Sequence, residues 1–162
     1  MKIRLLGLVL GLSTLALPSV SSAQTPAPKA STEEKSALKV VASDGAPKAI
    51  GPYSQAVIEG GFLFASGQIP LDPKSGDLVT GGIEASTNRV FDNLQAVLAA
   101  AGLTFKDVVR TTVYLTRIED FPAVNAVYAQ RMGDSRPARS TVAVAALPKA
   151  APIEIDLIAR TR

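Results

Sequence analysis

The chain has 162 residues, a formal charge of +3 and neither cysteine nor histidine. The two absences exclude disulfides, thiolate nucleophiles, Cys/His zinc sites and any mechanism built on a Ser-His-Asp triad or a histidine acid or base. Chemistry, if the chain performs any, falls to carboxylates, arginine, lysine, tyrosine and the hydroxyl or amide side chains.

The first elements in chain order are export signals. Lys2 and Arg4 precede residues 5–17, apolar apart from Ser13 and Thr14 and too short to span a bilayer comfortably. Pro18 stops any helix there, and Ser21, Ser22 and Ala23 are the small residues that a signal peptidase accepts. Residues 1–23 are therefore expected to be a signal peptide, and the product periplasmic or secreted, with no membrane attachment after cleavage. Losing Lys2 and Arg4 takes the formal charge from +3 to +1. The remaining basic residues are dispersed, so no nucleic-acid partner is expected. Residues 24–37 (QTPAPKASTEEKSA) read as a disordered mature N-terminus. One folded domain is expected over 38–162.

Short apolar runs at 56–59 and 62–66 flank Gly60-Gly61, a hairpin signal. Residues 70–77 (PLDPKSGD) carry turn chemistry. Ile83, Val90, Phe91, Leu94, Val97, Leu98 and Ala101 recur at helical spacing, with Gly102 as the C-terminal stop. Residues 107–116 are β-branched and aromatic and predict a strand. Residues 120–132 predict a second helix, with Asp120 near its cap, Pro122 in the first turn and Gly133 at its end. Phe121, Val124, Tyr128 and Met132 mark its expected buried face. Strands at 139–145 and 153–159 finish the chain. The order β-β-α-β-α-β-β predicts an α+β fold, a sheet with both helices on one face.

Several residues can carry chemistry, each beside a plainer reading. Arg139 offers a planar fork of donors that matches a carboxylate, or it is a surface or salt-bridged arginine. Glu154 and Asp156 share one face of their strand. A sheltered carboxylate there can activate water, and two can form a glycosidase-like pair. The alternative is an outward, solvated strand face. Tyr53 after Gly51-Pro52 presents a hydroxyl or simply packs. Ser66-Gly67 ends a strand where a ligand can approach the backbone, or marks a plain strand exit. Asn125, a mediocre helix former, faces a pocket or solvent.

These residues stand in IGPYSQA (50–56), ASGQIP (65–70), DNL (92–94), RTTVYL (110–115), FPAVN (121–125), RPARSTVAVAALP (136–148) and IEIDLIA (153–159). In that order and near-spacing the chain resembles the Rid (reactive intermediate deaminase) family over residues 46–160. The resemblance implies a chorismate-mutase-like α+β fold, a homotrimer with clefts between subunits, and cofactor-independent, metal-free hydrolysis of enamines and imines such as 2-aminoacrylate to 2-keto acids and ammonia. By position, Arg139 resembles the family's carboxylate-binding arginine and Glu154 the glutamate that orients the attacking water. Tyr53, Ser66, Asn125 and Thr141 match substrate-pocket positions. Thr141 stands where a cysteine is common, and the segment 128–136 is shorter and lacks an aromatic pair often found there. Two rival functions remain at this point: a non-catalytic trimer binding small carboxylates, and an endoribonuclease or translation inhibitor.

Overall fold

A computed structural model describes residues 38–161; the expected signal peptide and residues 24–37 lie outside the described residues. The strands are β1 (Lys39–Val41), β2 (Ala56–Glu59), β3 (Phe62–Gln68), β4 (Val108–Leu115), β5 (Ala138–Ala143) and β6 (Ile153–Arg160). The helices are α1 (Gly82–Ala100) and α2 (Phe121–Met132). The strands form one sheet in the order β1-β2-β3-β6-β4-β5.

Connection length sets the strand directions. β2 and β3, joined by Gly60-Gly61, pair antiparallel. β4 and β5 are joined through α2 and pair parallel, because a crossover helix returns the chain to the same end of the sheet. β6 then inserts between β3 and β4, antiparallel to both. This central strand alternates sharply: Ile153, Ile155, Leu157 and Ala159 are at most 1% exposed, and Glu154, Asp156 and Ile158 on the other face are half-buried. The first set packs under the helices and the second faces outward.

The predicted stripe of α1 is the heart of the core. Val90, Phe91, Leu94, Val97 and Leu98 are buried, and Phe91 meets Phe105 and Tyr128 edge-on at centroid distances of 5.5 and 5.6 Å. Gly102 has φ +71°, the left-handed conformation a helix stop needs. Arg131 of α2 clamps the two helices together, donating to Asp92 of α1 at 2.7 Å and lying over the Phe91 ring.

Several boundaries differ from the sequence expectation: β3 runs on to Gln68, β4 ends at Leu115, β5 spans Ala138–Ala143 rather than 139–145, and β6 extends to Arg160. β1 is an added edge strand pairing with β2. Asp107 belongs to a 3-10 turn rather than to β4, because Thr104 and Asp107 form a reciprocal capping box there. Asp120 sits at the head of α2 without a side-chain cap bond, since the 3-10 turn Ile118–Asp120 runs directly into the helix. On α2, Val127 joins Val124, Tyr128 and Met132 in the interior, while Phe121 is only half-buried beside Arg139.

Candidate functional site

The sequence-predicted residues fall into two groups on opposite faces of the sheet. Arg139 lies on β5 in register with Thr111 of β4, whose hydroxyl bonds the Tyr128 hydroxyl at 2.8 Å, so both point to the helix side. The Arg139 guanidinium stacks over the Tyr128 ring at 4.4 Å, lies 5.7 Å from the Phe121 ring, and donates to Asn125 Oδ1 at 2.9 Å. Asn125 thus orients the guanidinium. Among the described residues no carboxylate pairs with Arg139, which leaves N–H donors for a ligand.

Two cavities open beside that guanidinium. One of about 390 Å³ runs along Tyr128, Met132, Ser135 and Arg136. The other, about 560 Å³, is lined by Ile118, Phe121, Pro122 and Thr141. Thr141 therefore adjoins Arg139, as its spacing on the strand requires. Arg136 is committed elsewhere, donating to the carbonyls of Gly133 and Ser135 past the end of α2.

The second group sits on the open face. Glu154, Tyr53, Ser66, Gly67, Ile69 and Pro148 line a cavity of about 330 Å³. β3 places Ser66 and Gly67 there by a bulge: Ala65 pairs with Leu157 and Gln68 with Ile155, so two residues of β3 oppose the single Asp156. Burial and the neighbouring Asp156 charge push the Glu154 carboxyl above its ordinary value. Among the described residues Glu154 accepts no hydrogen bond, whereas Asp156 accepts the Tyr114 hydroxyl at 2.9 Å. The two carboxylates are thereby distinguished: Asp156 is tied to structure and Glu154 is free to engage water or ligand.

The small groups also divide. Tyr53 Oη accepts the Ile50 N–H at 3.2 Å, leaving its own proton to donate into the cleft. Ser66 donates to the Ser54 carbonyl at 2.7 Å, so its hydroxyl braces the loop that carries Tyr53. Two residues outside the sequence-predicted set hold these walls. Gln55 is buried; its side chain accepts the Ser43 N–H and donates to the carbonyls of Ser43, Ala46 and Pro47. Asn93 is 1% exposed and donates from α1 to the carbonyls of Ile69 and Leu71. An asparagine between Val90 and Val97 on the buried stripe is itself a sequence signal of that duty.

Within one chain the two groups do not meet. In register, Arg139 and Glu154 are three residues apart along β4 and two strands apart across it. That is roughly 10 Å in each direction, with the side chains on opposite faces.

Known proteins share this architecture. The Endoribonuclease L-PSP family model matches residues 43–161. A RutC family protein of Pyrococcus horikoshii is 50% identical over 121 residues, covering 75% of this chain and 96% of that protein. The human protein named 2-iminobutanoate/2-iminopropanoate deaminase is 46% identical, covering 75% of this chain and 88% of its own. A crystal structure of a conserved Rid-family protein from Yersinia pestis superposes with a TM-score of 0.75 at 49% identity, covering 77% of this chain and all of that one. The six-stranded mixed sheet with two helices is the chorismate-mutase-like fold of these neighbours, and the chain belongs to the Rid (Endoribonuclease L-PSP) family.

Proposed function

We propose that the protein hydrolyses small 2-imino acids, of the 2-iminopropanoate type, to 2-keto acids and ammonia, in clefts completed by a second copy of the chain. The observation that carries this reading is the free Glu154 carboxylate, half-buried, raised in pKa and facing the Tyr53 hydroxyl's cavity. A carboxylate so placed takes a proton from water and returns it within one catalytic cycle. A purely carboxylate-binding protein has a use for Arg139 but none for that group.

The need for a second copy follows from the separation of the two half-sites. The open face of the sheet supports it, because it exposes Phe62, Phe64 and Val142 at 38, 42 and 42% beside the half-buried Val57 and Ile158. Such an apolar sheet face is ordinarily covered. Among the described residues β5 has a free backbone edge as well, with Arg139 its only charged side chain. A cyclic assembly, a homotrimer in our reading, covers the face and brings Arg139 of one copy towards Glu154 of the next.

In that cleft the substrate carboxylate docks on Arg139, which fixes C2 against a water held by Glu154. Water adds across C=N, Glu154 takes the water proton and delivers it to nitrogen, and the tetrahedral adduct collapses to the keto acid and ammonia. The residues ask for no cofactor: imines hydrolyse in water unaided, and a placed general base contributes about 10²- to 10⁴-fold.

An amino-acid oxidase that generates 2-iminopropanoate, run with an imine trap, tests the proposal. Purified protein shortens the imine lifetime, and Arg139→Ala does not. Equal lifetimes with and without the wild-type protein refute the deaminase reading; RNA cleavage that co-purifies only with this chain replaces it by the nuclease. We further propose export. Its check is the N-terminus of protein from the periplasmic or culture fraction, which mass spectrometry should find at Gln24.

A further inference from the structure

Gly67 stands so close to the Glu154 side chain that no side chain of its own fits between them. A Cβ built on Gly67 falls 1.8 Å from Glu154 Oε1, 2.6 Å from Cδ and 2.9 Å from Cγ. The carboxylate therefore lies in van der Waals contact with the bare main chain of the bulge, in space that even a methyl group would take. The glycine is not required for its backbone: seven glycines of the domain have positive φ and Gly67 is not among them. Space, not conformation, selects glycine here. The obstructing atoms are the free end of a flexible side chain, so an alanine at 67 is accommodated by turning Glu154 away while the sheet keeps its shape.

We propose that Gly67 is a positioning residue that seats the Glu154 carboxylate in the cleft, and that any side chain at 67 evicts it. The claim rests on the deaminase reading for its consequence in turnover, though not for its consequence in geometry. The cleft wall supports it. Ser66 and Gln68 on either side are pinned, Ser66 through its N–H to the Gln55 carbonyl at 3.0 Å and its hydroxyl to Ser54, Gln68 by burial. The bulge cannot retreat from the carboxylate, so the carboxylate moves. Once displaced outward, Glu154 regains water and loses the burial that raises its pKa.

The experiment compares Gly67→Ala in the wild-type chain and in a Glu154→Ala chain, where there is no carboxylate to evict. In the wild-type background turnover should fall by about 100-fold or more while KM stays within about threefold, since Arg139 is untouched. In the Glu154→Ala background the same change should cost less than about twofold. Carboxyl-carbon NMR titration of the same proteins reads the geometry without turnover: the Glu154 pKa drops towards that of a solvated glutamate in Gly67→Ala. Unchanged turnover and an unchanged titration overturn the proposal. So does an equal loss in both backgrounds, which assigns Gly67 to substrate contact or folding, and so does a Gly67→Ala chain that fails to fold and is not rescued by Glu154→Ala. If wild-type protein shows no deaminase activity, the function fails while the titration still decides the seat.

Discussion

The two half-sites are built in opposite ways, and the contrast follows from the groups they present. Arg139 sits on an edge strand, exposed, and is held by side chains alone: the Asn125 amide and the Tyr128 and Phe121 rings. Glu154 sits on the central strand, half-buried, and is framed by main chain at the β3 bulge. A guanidinium stays charged wherever it is placed, so it can wait in the open for a ligand or a neighbouring copy. A carboxylate holds its proton to higher pH when burial and a neighbouring negative charge raise its pKa, so Glu154 gains from a preformed wall. One half has its wall finished within a single chain, though its sheet face still lacks a neighbour, and the other waits at an exposed edge.

Changing the finished half should have the largest effect. Glu154→Gln keeps size and hydrogen bonding and removes the base; we expect turnover to fall by about 10²- to 10⁴-fold with little change in KM, read by steady-state kinetics on the coupled imine assay. A variant within about threefold of wild type breaks the contrast at its root. The waiting half should fail differently. Arg139→Ala is expected to lower kcat/KM by about 100-fold, chiefly through KM, and Arg139→Lys should recover little because an ammonium cannot reproduce the planar fork. Loss in kcat alone, with ligand affinity intact, would mean that Arg139 does not bind the carboxylate. Asn125→Ala is expected to cost about tenfold by releasing the guanidinium, and nothing further once Arg139 is already alanine.

The same contrast predicts a pH signature. Because the folded chain raises the Glu154 pKa, it holds that proton more tightly than the unfolded chain does. The resulting stability is fully present below the ordinary glutamate pKa and fades as pH rises through it to the folded value. Glu154→Gln should flatten that part of the profile and gain relative stability at neutral pH, measured by urea unfolding between about pH 4 and pH 8. Parallel profiles would show that Glu154 is as solvated as an ordinary surface acid.

Legibility in the sequence divides along a similar line. The α1 stripe, the Gly102 stop and the alternation of β6 are readable because each follows a pattern that burial or backbone geometry enforces. The placement of Glu154 and Asp156 on one face is readable too, but not their inequality, which depends on Tyr114 arriving from β4. Nor is the opposition of Arg139 and Glu154: both stand on the last two strands of the sequence, and only their registers on β4, Arg139 beside Thr111 and Glu154 beside Tyr114, put them on different faces. Local pattern reads Gly67 as room for a ligand. Its neighbour is the chain's own carboxylate, a contact between strands that local pattern does not encode.

The smallest effect tests whether the preformed wall carries strain. Pro148 lines the Glu154 cavity, and the two residues after it, Lys149 and Ala150, both have φ +57°. Left-handed backbone costs an L-residue about 1–2 kcal/mol, whereas glycine adopts it freely. Lys149 is compensated, since its Nζ reaches the Gly76 carbonyl at 2.9 Å. Ala150 makes no such contact through its methyl group. Ala150→Gly should therefore relieve the strain, offset in part by the greater freedom of glycine in the unfolded chain, for a net gain of about 0.5–1 kcal/mol in urea unfolding. Because Pro148 keeps its fixed φ and its place above the cleft, turnover should stay within about twofold. A stability gain accompanied by a large loss of turnover would instead show that the strained turn holds the wall in position for Glu154, and that the finished half-site depends on stored strain as well as on packing.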